Sequence, residues 1–199
     1  MARTVIGGVV AGIILFLVGF IFWASPLHRI AYSGADEAAS AAIQASLAQN
    51  LGPTGTGTYV IPTHDTSQGM ALYERGPVAT IHFNSRGFAV EGMGMMVSGF
   101  LFALIAGLLI AFGLAAVGRG GRSFAPTARM IVLVSVGITF WTILAQPVFN
   151  HHGWTYWIYA FVAESTALIL AGLAVARWFL PPARSASADA PADDLSRAA

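Results

Sequence analysis

One acidic side chain interrupts a long apolar stretch and is the strongest candidate for chemistry. Glu164 lies within the apolar segment 154–176, which begins with a collar of aromatic residues, Trp154, Tyr156, Trp157 and Tyr159. At about 1.5 Å per helical residue, its carboxyl would lie roughly 10 Å below this collar and inside the hydrocarbon region. A carboxylate that faces lipid at this depth costs several kcal/mol. We therefore expect Glu164 to turn inward, to find a hydrogen-bond donor, or to be protonated.

A stripe of polar side chains on the preceding apolar segment is the predicted counterpart of Glu164. Its members recur at helical spacing and are Ser135, Thr139, Thr142 and Gln146. On a helix that turns about 100° per residue, this spacing places them on one face. A chain reversal at His151 and His152 would bring Glu164 level with Thr139. Two interpretations stay open: a neutral carboxyl that bonds Thr139 or Thr142 and holds two helices together, or a carboxyl that exchanges protons or contacts a ligand.

The histidines are the other side chains that could do chemistry. His28, His151 and His152 are weak candidates for zinc or copper ligands and for catalysis at a membrane interface. Their spacing does not favour a metal site, because no pair is four residues apart on a helix and adjacent histidines point in different directions. We therefore predict no metal site.

The motifs of common enzyme classes are missing from the sequence. It contains no HExxH motif, no glycine-rich phosphate loop and no paired carboxylates on one predicted helix, so we predict no catalytic residues and no cofactor. The absence of cysteine excludes disulfides and cysteine-ligated metal clusters.

The composition indicates a membrane protein. Hydrophobic residues make up 56% of the chain and charged residues 10%, far below the roughly 25% charged content of soluble domains. The segments 5–23, 92–117, 130–149 and 154–176 are each longer than the roughly 17 residues that can span a bilayer as a helix. The predicted fold class is an all-α membrane protein, a four-helix transmembrane bundle with a small α+β extracytoplasmic domain between helices 1 and 2.

The predicted organisation has four parts. Residues 1–23 form an uncleaved transmembrane helix, residues 24–91 the extracytoplasmic domain, residues 92–180 the remaining three transmembrane helices, and residues 181–199 a disordered cytoplasmic tail. The arginines that set the orientation are Arg3, Arg119, Arg122, Arg129, Arg177 and Arg184. By the positive-inside rule they place both termini in the cytoplasm.

The segment between the first two spans contains its own elements. Ser33 and Asp36 resemble a capping box before a helix at about 35–51. Residues 58–61 and 78–83 are predicted strands, and residues 67–74 a short helix. The segment has few large apolar residues, so we expect its core to be weak and to depend on the membrane or on a partner.

Small residues at helical spacing predict close helix packing in the membrane. They are Gly8 and Gly12 in the first span and Gly99, Ala103, Gly107 and Ala111 in the second. Such residues let helix backbones approach each other where burial of apolar surface gives no driving force. Besides the lipid bilayer, we expect a protein partner or a second copy of this chain, and no nucleic acid.

Several short motifs carry a resemblance to a known family. They are Pro26-Leu27-His28, Ala35-Asp36-Glu37-Ala38-Ala39, Gly57-Thr58-Tyr59-Val60-Ile61-Pro62, Gly76-Pro77 and Leu170-Ala171-Gly172-Leu173. Together they resemble a family of uncharacterised bacterial four-span integral membrane proteins. The resemblance implies a periplasmic domain between the first two spans and an acidic residue near the position of Glu164. It implies no activity.

Three classes of function remain after these exclusions. The first is a non-enzymatic inner-membrane protein that acts as an accessory, assembly or interaction subunit. The second is a small proton-coupled transporter or channel component that uses Glu164 with the polar stripe, which would require an oligomer. The third is a membrane enzyme that acts through His28, His151 or His152, and the missing catalytic motifs place it last.

Overall fold

The computed structural model of the protein describes residues 1–89, 92–117 and 123–180. The elements in this part of the chain are α1 (Ala2–Trp23), α2 (Glu37–Leu51), β1 (Gly57–Ile61), α3 (Ser67–Arg75), β2 (Ala79–Phe83), α4 (Met93–Val117), α5 (Phe124–Asn150) and α6 (Trp154–Trp178). Helices α1, α4, α5 and α6 are long and apolar enough to cross a membrane. The prediction of a multi-pass, mainly helical membrane protein with a small sheet is confirmed. The predicted tail at 181–199 lies outside the described residues.

The helices match the predicted spans closely, except at the start of α5. This helix begins at Phe124 rather than at residue 130. Arg129 does not end the helix, since a long basic side chain near a helix end can extend to the membrane surface. Pro126 is tolerated because it lies in the first turn, where a backbone N–H has no helical acceptor.

The long helices pack in the spatial order α4, α1, α6, α5. The contact between α1 and α4 is the closest. A Cβ atom on Gly107 would overlap the backbone of Gly8 and Gly12, and one on Gly12 would lie 2.7 Å from the Cα of Leu104. These positions require glycine because the two backbones touch, which is how small residues bring membrane helices together.

Three of the long helices share a small core. It consists of Ala11 from α1, Ala111 from α4, and Ala171 and Val175 from α6, all of them buried. Because three of these four residues are alanines, the helix backbones can lie close together there. In contrast, Ile131 of α5 contacts α6 at Gly172, outside this core.

The two ends of the bundle are each held by a hydrogen bond between α1 and α6. At one end, the guanidinium of Arg3 donates to the carbonyl of Trp178 at 2.8 Å. At the other, the hydroxyl of Tyr159 donates to the carbonyl of Phe22 at 2.5 Å. We call the second the turn end, because the turn at residues 151–153 between α5 and α6 lies there. These bonds fix α1 and α6 antiparallel and in register.

The segment between α1 and α4 is attached at the turn end. Its antiparallel strands pair Thr58 with His82 and Val60 with Thr80. The ring of Tyr73 in α3 lies 6.3 Å from that of His151 in the turn. Within this segment the buried hydrophobic residues are Ala31 and Leu51. The segment is therefore thinly packed.

The start of α2 differs from the sequence-based prediction. The helix begins at Glu37, and the carboxylate of Asp36 accepts a 2.7 Å hydrogen bond from the backbone N–H of Ala39. The prediction that Ser33 caps this helix was wrong. Asp36 directly precedes the first helical residue, so it alone has the geometry of an N-cap.

Candidate functional site

Helix α6 carries Glu164 on the face that forms the shared core. Glu164, Ala171 and Val175 follow one another at steps of seven and four residues, which places them on one side of a helix. Ala171 and Val175 are buried against α1 and α4, whereas Glu164, two turns nearer the turn end, is exposed. The packing that covers this face of α6 therefore ends before it reaches Glu164.

The position of α4 explains why Glu164 is accessible. The close contacts of α1 with α4 run from Gly8 against Leu108 to Phe16 against Phe100. Beyond them, every α4 residue from 93 to 99 is exposed. The three helices are thus tightly packed in the half that holds Arg3 and Trp178, whereas in the half that contains Glu164 α1 and α6 stay in contact and α4 is separated from them.

Glu164 finds its hydrogen-bond donor on α1. Its carboxyl lies within reach of the side chain of Trp23, the last residue of that helix, whose indole N–H can donate to it. The indole N–H is a donor only, so the carboxyl must accept this bond. We expected Glu164 to turn inward, to find a hydrogen-bond donor, or to be protonated. Of these three, the structure provides a donor side chain, Trp23.

Trp23 packs against three tyrosines. We call the four residues Trp23, Tyr32, Tyr156 and Tyr159 the aromatic cluster. The ring centroid of Trp23 lies 6.4 Å from Tyr32, 5.8 Å from Tyr156 and 5.2 Å from Tyr159. Tyr32 and Tyr156 are 5.5 Å apart. These are the distances of aromatic rings in mutual contact.

The compactness of the aromatic cluster limits what it can do. A cation bound between aromatic rings needs room for each ring to face it within about 6 Å. Trp23, Tyr32 and Tyr156 are already in contact with one another, so they leave no such space between them. The cluster therefore supports the hydrogen bond to Glu164 and is not a cage for an ammonium ligand.

The central residue of the polar stripe contacts a neighbour of Glu164. Thr139 is only 3% exposed, and its hydroxyl lies 2.7 Å from that of Ser165. The same hydroxyl donates to the backbone carbonyl of Ser135 at 2.8 Å. Since adjacent helical residues point about 100° apart, Ser165 faces α5 while Glu164 faces α1 and α4. The structure thus gives Glu164 the partner Trp23 instead of the expected threonine.

The remaining residues of the stripe are bonded within α5. The hydroxyl of Thr142 donates to the carbonyl of Ile138 at 2.8 Å, and the side chain of Asn150 donates to Gln146 at 2.9 Å. Thr142 is exposed. These bonds reduce the free-energy cost of placing polar side chains on a helix that lies in a membrane. None of them reaches α6.

Each candidate histidine has a neighbour of its own. Nδ1 of His28 lies 2.7 Å from the carbonyl of Ser25. The ring of His152 stacks on Trp157 at 5.4 Å with an interplanar angle of 7°. His151 lies in the turn with φ 55°, a left-handed conformation. In the part of the chain that the structure describes, no group of three or more His, Asp or Glu residues could hold a metal ion.

Sequence reasoning missed the residues that surround Glu164 on its α1 side. They are Trp23 at the end of α1 and Tyr156 at the start of α6, whose contact the sequence does not indicate. The contact could have been expected if α1 and α6 were known to pack antiparallel, because this arrangement brings the end of α1 to the start of α6. The register of this packing could not be read from the sequence, because it depends on which small residues make contact.

No family model, curated protein or solved structure matches this chain. The geometry around Glu164 and the exposed surfaces of the helices are therefore the basis for a functional proposal. A carboxyl beside one indole donor can accept a hydrogen bond and exchange a proton. Within residues 1–89, 92–117 and 123–180, no nucleophile paired with a base, the arrangement that acyl transfer or hydrolysis requires, lies beside it.

Proposed function

We propose that this protein is a non-enzymatic subunit of the bacterial inner membrane that serves the assembly of, or interaction with, another membrane protein. The proposed family of uncharacterised four-span membrane proteins and the proposed extracytoplasmic position of the segment between α1 and α4 are consistent with this role. Arg3, Arg129 and Arg177 lie toward the end of the bundle that holds Met1 and Trp178, which supports a cytoplasmic location for that end.

The observation that carries the proposal is the unpartnered state of α2. Of its fifteen residues only Leu51 is buried. Ala39, Ile43 and Leu47 form one apolar stripe, and Ile43 is 55% exposed. The opposite side consists largely of alanine, including Ala41 and Ala45. The helix thus carries an apolar face that no other element of the described chain covers.

Isolated helices of this length are marginal in water, even when they are rich in alanine. Helices in folded proteins gain most of their stability by packing an apolar face against something else. The residues of this stripe recur every four positions, so they form a narrow line along one side of α2. A surface of this width fits one helix of a partner. A partner that packs on this stripe would supply the stability that α2 lacks in the single chain.

The test is purification from membranes in mild detergent, with two matched variants. Ile43→Asp places a charge on the stripe of α2, and Ala45→Asp places the same charge on the opposite side. We expect the wild-type protein and Ala45→Asp to copurify with a stoichiometric heterologous partner, and Ile43→Asp to lose it. Recovery of the wild-type protein without a heterologous partner, or equal retention by both variants, would refute the interaction role.

A second function is favoured by one specific observation, the exposure of Glu164 within a membrane span. An accessible carboxyl at a level where α4 separates from α1 and α6 is the arrangement that a proton-coupled transporter or channel component would need. Four spans enclose little space, so this role requires several copies. Recovery of a complex that contains only this chain would support it over the accessory role.

A further inference from the structure

The side of α1 that packs on α4 continues beyond the end of that contact. Gly8, Gly12 and Phe16 contact α4. Gly19 and Trp23 lie on the same side of α1, because they follow Phe16 at steps of three and four residues. A Cβ atom added at Gly19 would meet no atom of another element within 4 Å. The contact with α4 therefore ends between Phe16 and Gly19.

Glu164 lies at the level where this contact ends. The hydrogen bond between Tyr159 and Phe22 fixes the register of α6 on α1. Glu164 is five residues after Tyr159, and Leu17 is five residues before Phe22, so the antiparallel helices place Glu164 level with Leu17. Phe16, the neighbour of Leu17, makes a ring contact with α4. The carboxyl is therefore carried at the point where α4 leaves the other two helices.

We call the space at this point the opening. It is bounded by Gly19 and Trp23 of α1, by Glu164 of α6 and by residues 93–99 of α4, all of which are exposed on α4. A Cβ atom added at Gly94 would also meet no atom within 4 Å. The α4 side consists of Met, Gly, Val and Ser residues, so Glu164 is the one ionisable side chain among these bounding residues.

The depth of Glu164 determines where a positive charge for it could come from. Glu164 is ten residues after the start of α6, or about 15 Å along the helix, roughly half the thickness of a bilayer core. Ionisable side chains at this depth pair with one another or with other polar groups of a protein. Trp23 offers a single N–H, whereas a carboxylate can accept several hydrogen bonds. Lipid head groups stay at the interface, so a further donor must lie within a membrane span.

A second copy of this chain would not provide that donor. The basic residues of the described spans are Arg3, Arg129 and Arg177. Arg177 is thirteen residues from Glu164, or about 20 Å along α6, and the other two lie toward the same end of the bundle. A copy in the same orientation brings none of them level with Glu164. A metal ion is also disfavoured, since the described residues contain no group of three or more His, Asp or Glu that could hold one.

We propose that the opening binds a transmembrane helix of a second protein, and that this helix carries a lysine or arginine level with Glu164. This proposal rests on the proposed interaction role and specifies the chemistry of the partner. Gly94 and Ser98 are four residues apart on α4 and allow the backbone of a partner helix to come close. Packed helices cross at angles of about 20–50°, so the partner needs contact with only the half of the bundle that contains Glu164.

The experiment uses three synthetic transmembrane peptides of leucine and alanine. One has a single arginine at its centre, one has glutamine there, and one has the arginine moved by seven residues, or about 10 Å. Energy transfer between each labelled peptide and the labelled full-length protein in mild detergent measures binding. We expect the peptide with the central arginine to bind about tenfold more tightly than the other two. Glu164→Gln should remove this preference.

Two glycines provide a matched test of the opening. A Cβ atom added at Gly19 or at Gly137 meets open space, so both positions tolerate a larger residue. Gly19 borders the opening, whereas Gly137 lies on the side of α5 opposite Thr139, which contacts α6. Gly19→Phe should weaken binding of the arginine peptide about tenfold, and Gly137→Phe should leave it unchanged.

Several results would overturn the proposal. Equal binding of the arginine and glutamine peptides by the wild-type protein, or a preference that persists in Glu164→Gln, would exclude the charge pair. Unchanged binding by a folded Gly19→Phe variant would exclude the opening as the site. If Gly19→Phe does not fold, Glu164→Arg decides, since it should prefer a peptide with a central glutamate over the glutamine peptide.

The peptide experiment can fail independently of the proposed interaction role. The peptides have no counterpart for the stripe of α2, so their binding does not depend on Ile43. Loss of a copurified partner in Ile43→Asp would still support the interaction role if the peptides bound equally. In that case the partner would be held by α2 and would need no basic residue in its membrane span.

Discussion

At the scale of single residues, the bond between Glu164 and Trp23 is the feature that most needs explanation. A carboxyl on a membrane helix is costly when exposed, and the side chain of Trp23 provides it with a donor. This bond joins α1 to α6 beside the contact of Tyr159 with Phe22. We therefore expect this interaction to stabilise the pairing of α1 with α6, whether or not Glu164 also exchanges a proton.

The energy of this bond can be isolated with a double-mutant cycle. Trp23→Phe removes the donor and keeps a ring, and Glu164→Ala removes the acceptor. We expect a coupling free energy of about 0.6 kcal/mol and at most about 1.7 kcal/mol, the range measured for hydrogen bonds in membranes. The measurement is reversible unfolding in mixed detergent micelles. A coupling of zero would show that the two side chains do not stabilise each other.

The variant Glu164→Gln separates the two roles of the carboxyl. Glutamine retains an acceptor oxygen for the indole N–H, so stability should change by no more than about 1 kcal/mol. An amide cannot titrate, so a proton-coupled function would be lost as completely as in Glu164→Ala. The comparison uses unfolding free energies and the growth phenotype of a deletion strain carrying each variant. Full complementation by Glu164→Gln would exclude proton coupling, and a folded but inactive variant would exclude a purely structural role.

The backbone of His151 provides a second prediction at this scale. Its φ of 55° is unfavourable for residues with a side chain and is readily adopted by glycine. His151→Gly relieves this strain but also removes the ring contact with Tyr73, so we expect the free energy of unfolding to change by less than about 1 kcal/mol. His152→Gly is the control and should destabilise, because it removes the ring stacked on Trp157. Destabilisation by both changes would show that His151 makes contacts that outweigh its strain.

The sequence indicated which residue to inspect but not what it touches. Glu164 stood out because a charged group in an apolar run has few acceptable environments. Its partner depends on the rotation of α6, and a rotation of 100° exchanges Glu164 for Ser165 at the contact with α5. That rotation is set by the packing of Ala171 and Val175 on α1 and α4, which no local pattern specifies.

At the scale of elements, the contact between α1 and α4 is the closest in the bundle. Gly107→Ala should reduce the free energy of unfolding by about 1–3 kcal/mol, because its Cβ would overlap the backbone of Gly8 and Gly12 and force the helices apart. Gly113→Ala, on the same helix but in open space, should be neutral or slightly stabilising. Unfolding in mixed micelles measures both. Equal effects of the two changes would show that the helices do not depend on this contact.

The existence of the long helices could be read from the sequence because composition alone determines which segments can enter a bilayer. Their ends were less certain. Arg129 suggested a boundary to α5 that the structure does not have, since the helix continues to Phe124. The cavity between α4 and α5, which is lined at its base by Leu168 and Gly172 of α6, could not be predicted, because it results from the order in which the helices pack.

At the scale of the whole molecule, the orientation in the membrane can be tested with fused reporters. A reporter that is active only in the periplasm should be active after Thr54 and silent after Gly121. The physical reason is the excess of arginine near the termini and in the loop between the second and third spans. A cytoplasmic reporter at the same two positions should give the opposite result. Activity of the periplasmic reporter only after Gly121 would reverse the proposed orientation.

The stability of the segment between α1 and α4 also depends on the whole molecule. Its buried hydrophobic residues are Ala31 and Leu51, and a sheet of two strands is marginally stable by itself. Two of its ring contacts, Tyr32 with Trp23 and Tyr73 with His151, reach the membrane helices or their turn. A polypeptide of residues 25–89 loses both.

We therefore expect residues 25–89, expressed alone, to be partly unfolded, with a broad thermal transition by circular dichroism and little protection of the amides of α3 from hydrogen exchange. The same amides should be protected in the full-length protein, where Tyr73 packs against the turn between α5 and α6. Domains of this size bury only about 60% of their surface and are marginal even with a good core. A sharp, cooperative melt of the isolated segment well above ambient temperature would show that it folds independently of the bundle.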